Sequence, residues 1–395
     1  MLDAFFLTPV PTARGGQHSR SMGCCSSAND KNVQVGTARR RLSVGHVDGT
    51  GEEAGDSGNL EEDRGIIASL NEQSIIELAQ GESGRKMSIG SQTDQGKASF
   101  ANKSIQQVGD EIDTVACGLG FTCRKGLKPE SPNQDSWCVL KMESCSIYGV
   151  FDGHGQKGHD VSNFVKENMP KLIVRDSRFK TKEMPALLQD VFKKTQSLVN
   201  TADRMKKLSA QMSGTTATVC IHDHVEQLFT VAHVADSTCV LGKRSEAGVY
   251  DGVALTRDHK PNLKDERARI EKAGGRVVFD GYANHRIYAK NARYPGLNMS
   301  RCIGDLMGHA DCGITCMPEV TEHKISPEDY CLLLCSDGVW EFIEPKQAVD
   351  IVSAFEKDKA MPAAERLAKE AWDRWIREEG GGVVDDITVV LAYLQ

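Results

Sequence analysis

Several aspartates in this chain stand where a hydrophobic run stops. "IYGVFDGHG" (147–155) breaks at Asp152, with Gly153, His154 and Gly155 behind it, and "YCLLLCSDGVWE" (330–341) breaks at Asp337 and Gly338. "FTVAHVADSTCVL" (229–241) carries Asp236 where the chain turns, and "GGGVVDDITVVLAYL" (380–394) sets Asp385 and Asp386 just before the last apolar run. Clustered carboxylates repel one another, so each resists ionisation unless a cation sits among them. Short aspartates with a glycine carbonyl form an all-oxygen donor set, which suits Mg2+ or Mn2+. Two such ions sharing a bridging carboxylate can turn water into a nucleophile at neutral pH. An imidazole beside them would supply a proton. Each Asp-Gly alone is explained as an ordinary turn, and His154 alone as a polar loop residue. Together, at the tips of apolar runs, they point to metal.

The elements that must carry these residues are legible by periodicity. Strand-like runs occupy 146–151, 217–221, 228–234, 238–241, 330–335 and 387–394, several rich in β-branched residues. Helical spacing joins Val161, Phe164, Val165 and Met169, then Leu187, Leu188, Val191, Phe192 and Leu198. It returns at Ala348, Val349, Ile351, Val352 and Phe355, and at Leu367, Ala371, Trp372, Trp375 and Ile376. The predicted layout is α+β, with helices flanking antiparallel sheets and a hairpin doubling back at "ADS" (235–237).

Composition narrows the class. A length of 395 residues allows a sizeable core, and a net charge of −7 argues against a nucleic-acid partner. No run reaches the roughly 18 apolar residues that span a bilayer, and an intracellular protein is expected. The 13 cysteines are odd in number and several lie in apolar runs, which suits reduced thiols. Cys312/Cys316 and Cys331/Cys335 have no nearby ligands to complete a structural zinc site. Residues 1–108 are rich in Gly, Ser, Asn, Gln and charge and are expected to be largely disordered, with a transient helix over Ile66–Leu78; a domain is expected over 109–395.

The ordered motifs "PNQDSW" (132–137), "VFDGHG" (150–155), "SGTTATV" (213–219), "VAHVADSTCVL" (231–241), "LTRDHKPNLKDERARIEKAGGRV" (255–277), "PGLNMSRCIGD" (295–305), "CSDGVWE" (335–341) and "DDITVV" (385–390) resemble those of the metal-dependent type-2C Ser/Thr protein phosphatases. The likeness runs from about Gly118 to Gln395. It implies a four-layer α/β/β/α sandwich of two antiparallel sheets between helices. It also implies two Mg2+ or Mn2+ ions per domain, with a weaker third in some members. By this resemblance Asp152 bridges both ions, Gly153 ligates through its carbonyl, and Asp337 and Asp385 complete the first ion. Asp236 serves the third metal with Asp337, Asp135 and Asp386 support the ligands from behind, and His154 is the general acid. Arg124, preferred to Lys125 because a guanidinium grips phosphate with two parallel bonds, is the expected phosphate-binding cation. Gln134 stands where many members carry Glu, and Glu341 where many carry Asp. The segment from Asp258 to about Asp305 resembles the family's flap, with a helix stopped at Gly274 or Gly275.

The implied activity is hydrolysis of phosphoserine and phosphothreonine in protein substrates by a monomer. The rival readings are a pseudophosphatase that only binds partners and a phosphatase of small esters. No Cys-x5-Arg loop points to a thiolate mechanism. "MGCCSS" (22–27) matches an acylation pattern if translation starts at Met22: Gly23 would take myristate, and Cys24 and Cys25 palmitate, tethering the protein to the cytoplasmic face of a membrane. Ser43 and Ser88 follow basic residues as basophilic kinases prefer, although a solvated charge run is the preferred reading of those stretches.

Overall fold

The computed structural model describes residues 60–72, 75–79, 84–93, 98–128 and 132–394. Two antiparallel sheets lie face to face. The first runs, in spatial order, Glu319–Lys324, Leu228–Val234, Ala217–Asp223, Cys145–His154, Asp135–Lys141, Met87–Ser91 and Ile105–Gly109, with the short strands Gly214–Thr215 and Ile303–Gly304 continuing from the end of Cys145–His154. The second runs Tyr250–Ala254, Thr238–Arg244, Asp329–Cys335, Ile387–Tyr393 and Leu119–Arg124.

Alternation along the central strands explains why there are four layers. In Cys145–His154 the side chains of Tyr148 and Val150 point between the sheets, while Ile147 and Phe151 point out. The outward pair packs under helices Gly158–Arg175 and Met184–Arg204, against Val165, Met169, Leu188 and Phe192. In Asp329–Cys335, Leu332 and Leu334 face inward, while Leu333 and Cys335 face helices Pro345–Val352 and Ala360–Glu378. A strand buried on both sides reads as a continuous apolar run because each face has its own partner layer.

Two expectations change. "ADS" does not close a hairpin: Leu228–Val234 pairs in the first sheet and Thr238–Arg244 in the second, so residues 235–237 carry the chain from one sheet to the other. Ala235 takes a left-handed backbone with φ 76° at that crossover. Secondly, packed elements occur upstream of the boundary expected at Gly109. Helix Leu60–Glu72 buries Ile67 and Leu70 against Leu198 and Ala202. Its Asp63 is buried with Lys194 2.9 Å and Thr201 3.1 Å away. Met87–Ser91 pairs with Asp135–Lys141 on one side and Ile105–Gly109 on the other. The few apolar residues of this segment suffice because a preformed neighbour, rather than the segment itself, supplies the core. Ser88 is therefore a paired strand residue, while Ser43 lies outside the described residues.

A third sheet, Gly275–Phe279, His285–Ala289 and Pro295–Leu297, packs with helices Lys264–Lys272 and Leu306–Cys312 around Ile270, Ile287 and Met299. Gly274, at φ 94°, supplies the left-handed step just past the end of helix Lys264–Lys272. Among the described residues no helix is long and apolar enough to cross a membrane.

Candidate active site

Strand register brings the aspartates to one end of both sheets. Asp135 starts its strand directly opposite Asp152, near the end of the neighbouring strand. Val150 faces Thr218 and Ala217 faces Val234, so the chain leaves that strand toward Asp236 at the same end. Across the crossover Thr238 opens its strand opposite Cys335, which closes the strand leading to Asp337. Cys335 in turn faces Val389, in the strand that Asp385 and Asp386 precede. Antiparallel neighbours alternate starts and ends, so residues far apart in the chain meet here.

Side-chain contacts tighten this end. The Asp135 Oδ2 atom accepts from Ser336 Oγ and Thr388 Oγ1, both at 2.7 Å, and so ties the first sheet to the second. Asp135 Oδ1 is buried without a hydrogen-bond partner. Burial, reinforced by Asp386, pushes the Asp135 carboxyl up to about 7. Asp386 accepts from the backbone N–H groups of Gly126 at 2.7 Å and Gln134 at 2.8 Å, and fixes the approach to Asp135. Gln134, in place of a Glu, donates its amide to Gly155 O at 2.6 Å and holds the Gly153–Gly155 turn. A Cβ on Gly153 would stand 2.5 Å from Gln134 O, and Gly158 O crowds the same space, so only glycine fits. Trp340 Nε1 on Cys335 O and Trp375 Nε1 on Gly338 O anchor the segment around Asp337. Glu341 follows one turn after Asp337, its N–H donating to Asp337 O at 2.9 Å.

A second group of charges adjoins the first through Asp337. Lys260 Nζ donates to Asp236 Oδ2 at 2.5 Å. Burial alone would depress this ammonium, but Asp236, Asp258 and Asp337 outweigh it and hold the Lys260 pKa above its usual range. Asp258 is exposed at the surface, yet desolvation by the protein around it and the neighbouring Asp236 push its carboxyl up to about 6. Lys128 pairs with Asp385. Close-set carboxylates that raise one another and draw in lysines are the electrostatic mark of a place built for cations. Asp135 Oδ1, with no partner of its own, agrees with it. The donor set fits divalent, oxygen-seeking ions.

Arg124 is elsewhere. Its guanidinium meets Glu365 at 3.2 Å and lies over the Phe100 ring at 5.1 Å, on the helical side of the second sheet. Alternation decides this: Arg124 faces Ile387, and its side chain takes the outer face, where helix Ala360–Glu378 packs. Lys125 is buried on Gly126 O and Lys128 O. The cation from this stretch that reaches the carboxylates is Lys128, which the sequence did not single out.

Sequence reasoning also missed Asp305. His154 Nε2 lies 2.5 Å from Asp305 Oδ2, and both residues are buried. Asp305 adopts φ 44° and donates its N–H to Ser213 O at 2.9 Å, which presents its carboxylate to the ring. Gly214 leaves room for the pair: a Cβ there would meet His154 Nε2 at 2.8 Å. His154 Nδ1 is buried and has no hydrogen-bond partner. The one signal was "RCIGD", an aspartate set behind a glycine at the end of a motif already part of the resemblance. Gly23, Cys24 and Cys25 lie outside the described residues.

The family model for protein phosphatase 2C matches residues 128–379. The chain belongs to the protein phosphatase 2C family. This is a family of metal-dependent protein serine/threonine phosphatases. The probable protein phosphatase 2C 73 of Arabidopsis thaliana is 33% identical over 287 residues, covering 66% of this chain and 75% of its own length. The probable protein phosphatase 2C 48 of Oryza sativa subsp. japonica is 33% identical over 312 residues, covering 72% of this chain and 85% of its own. Among solved structures, a serine-threonine phosphatase 2C from Toxoplasma gondii superposes with a TM-score of 0.61 at 19% identity, over 70% of this chain and 94% of that one. The protein phosphatase 2C sandwich is thus the fold of this chain.

Proposed function

We propose that this phosphatase hydrolyses phosphoserine and phosphothreonine in proteins, with two Mg2+ or Mn2+ ions and His154 as proton donor. The observation that carries the reading is the meeting of Asp135, Asp152, Asp236, Asp337, Asp385 and Asp386 at one end of two sheets, beside a histidine held by an aspartate. Asp152, the Gly153 carbonyl, Asp337 and Asp385 would hold the two ions, with Asp236 available to a third. Bound there, the ions would supply Lewis-acid activation of water and neutralise charge on the phosphoryl oxygens. Asp135 and Asp386 keep these ligands in place, the first across the sheets and the second through two backbone N–H groups. Asp305 holds His154 through Nε2 and so orients the ring that would hand a proton to the departing serine or threonine oxygen. Lys128 takes the role of phosphate-binding cation.

Phosphopeptide hydrolysis in Mn2+ or Mg2+ tests this reading. Turnover is expected to vanish with a chelator and in Asp337→Ala. Turnover that persists in either case refutes metal-dependent catalysis here, and no turnover with any divalent ion favours a pseudophosphatase. Faster turnover of small esters than of phosphoproteins would remove the protein substrate from the assignment.

A further inference from the structure

The His154–Asp305 contact includes a third residue that proton donation does not need. Cys302 Sγ lies 3.2 Å from the same Asp305 Oδ2 that His154 engages. The nitrogen, sulfur and oxygen of His154, Cys302 and Asp305 all lie within 4.8 Å of one another, and all three residues are buried. They come from three places: the end of strand Cys145–His154, the approach to Ile303–Gly304, and the residue before helix Leu306–Cys312. Backbone bonds fix two of them. Cys302 N–H donates to Thr315 O at 3.1 Å, and Asp305 N–H donates to Ser213 O at 2.9 Å.

We propose that His154, Cys302 and Asp305 form an inhibitory site for one Zn2+ ion, separate from the oxygen-lined carboxylate cluster. Its regulatory meaning rests on the reading of His154 as the proton donor. An imidazole, a thiolate and a carboxylate are a donor set that Zn2+ takes readily and that Mg2+ and Mn2+ do not favour. The two places therefore sort cations by chemistry. On binding, Cys302 Sγ releases its proton to water, the ring proton of His154 sits on Nδ1 so that Nε2 offers its lone pair, and three coordinate bonds replace the two contacts at Asp305 Oδ2. The metal then occupies the nitrogen through which Asp305 orients the ring, and His154 can no longer cycle a proton. Burial and Asp305 hold the Cys302 thiol protonated without metal, so the ion must displace that proton and binding weakens in acid.

The other group of donors, His233, His259 and Glu319, does not make such a site. The Ala235 N–H donates to His259 Nδ1 at 3.1 Å, so the proton of that neutral ring sits on Nε2, which has no lone pair to give.

The test uses the full chain with Co2+ as an optical probe and Zn2+ as inhibitor, in wild type, Cys302→Ala and Cys302→Ser. Wild type minus either variant is expected to show one thiolate-to-Co2+ charge-transfer band, abolished by stoichiometric Zn2+. Both variants are expected to retain Mn2+-dependent turnover, with Zn2+ inhibition weakened by about 100-fold or more, since even an outer partner of a metal site is worth 10–100-fold. The serine variant keeps the volume at 302 if the alanine variant folds poorly. No difference band, or Zn2+ inhibition equal in all three proteins, overturns the proposal and places zinc on the carboxylate cluster. A band that depends on Cys302 in a protein with no phosphatase activity would keep the site and remove the catalytic reading.

Discussion

Thr388 Oγ1 donates a hydrogen bond to Asp135 Oδ2 at 2.7 Å, joining the last strand of the chain to a strand of the opposite sheet. The two residues are 253 positions apart, and both are buried. The bond holds the two halves of the carboxylate cluster in one frame. Thr388→Val keeps the side-chain shape and removes the donor. Loss of one of the two donors to a buried carboxylate is expected to lower stability by about 1–3 kcal/mol. Denaturant melts read the loss, and the Mn2+ concentration for half-maximal activity should rise.

Asp305→Asn separates positioning from folding through the leaving group. A phosphoserine peptide releases an alkoxide that needs a proton, whereas p-nitrophenyl phosphate releases a phenolate that does not. If Asp305 orients His154, kcat for the peptide is expected to fall by roughly 100-fold or more, in line with the usual contribution of a positioned acid. KM should hardly change, and kcat for the nitrophenyl ester should stay within a few-fold. An equal loss on both substrates would mean that Asp305 acts only through structure.

Lys128 and Arg124 predict opposite outcomes. Lys128→Ala is expected to raise KM for phosphopeptide about tenfold, the scale of one lost charge-assisted contact. Arg124→Ala should leave KM unchanged and cost stability instead, because its partners are Glu365 and the Phe100 ring. Steady-state kinetics on the two variants decides between them.

Acid should destabilise the fold through two histidines. Burial, with a smaller contribution from His224, lowers His222 to about 3, and burial together with the stacked His233 lowers His259 to about 2. Unfolded, each would titrate near 6.5, so between these values the unfolded chain binds more protons than the folded one. Their contribution is intact above about pH 6.5 and is lost as pH falls below it, at up to about 1.4 kcal/mol per pH unit for each residue. Thermal melts between pH 7 and pH 5 should show the slope. His222→Phe, which keeps the packing against Phe229, should flatten it.

Acylation is testable directly. If Gly23 carries myristate and Cys24 and Cys25 carry palmitate, mass spectrometry of the native protein will show an N-terminus at Gly23 with those masses. Membrane fractionation should then be lost in Gly23→Ala. An N-terminus at Met1 removes the anchor.

The sequence by itself determined most of the strands, helices and carboxylates, because these rest on local rules, whereas the four-layer sandwich followed from the resemblance of its motifs to a family. Strands buried on both faces must be continuously apolar, and aspartates at their tips stand out against that background. What it left open was set by which face and which neighbour each residue meets. "ADS" looks like a hairpin turn in one dimension, yet it links two sheets. Arg124 and Lys128 lie four positions apart in one stretch, and only strand alternation and the loop's path send the first to helix Ala360–Glu378 and the second to Asp385. Asp305 is 151 residues from His154, and nothing between them marks the pair. Helix Leu60–Glu72 is too weakly apolar to predict as packed, because the surface that stabilises it belongs to Leu198 and Ala202. A chain writes its own propensities and periods locally; the partner that completes a charge or a small apolar face is chosen by the tertiary path, since contact depends on where distant segments are brought together.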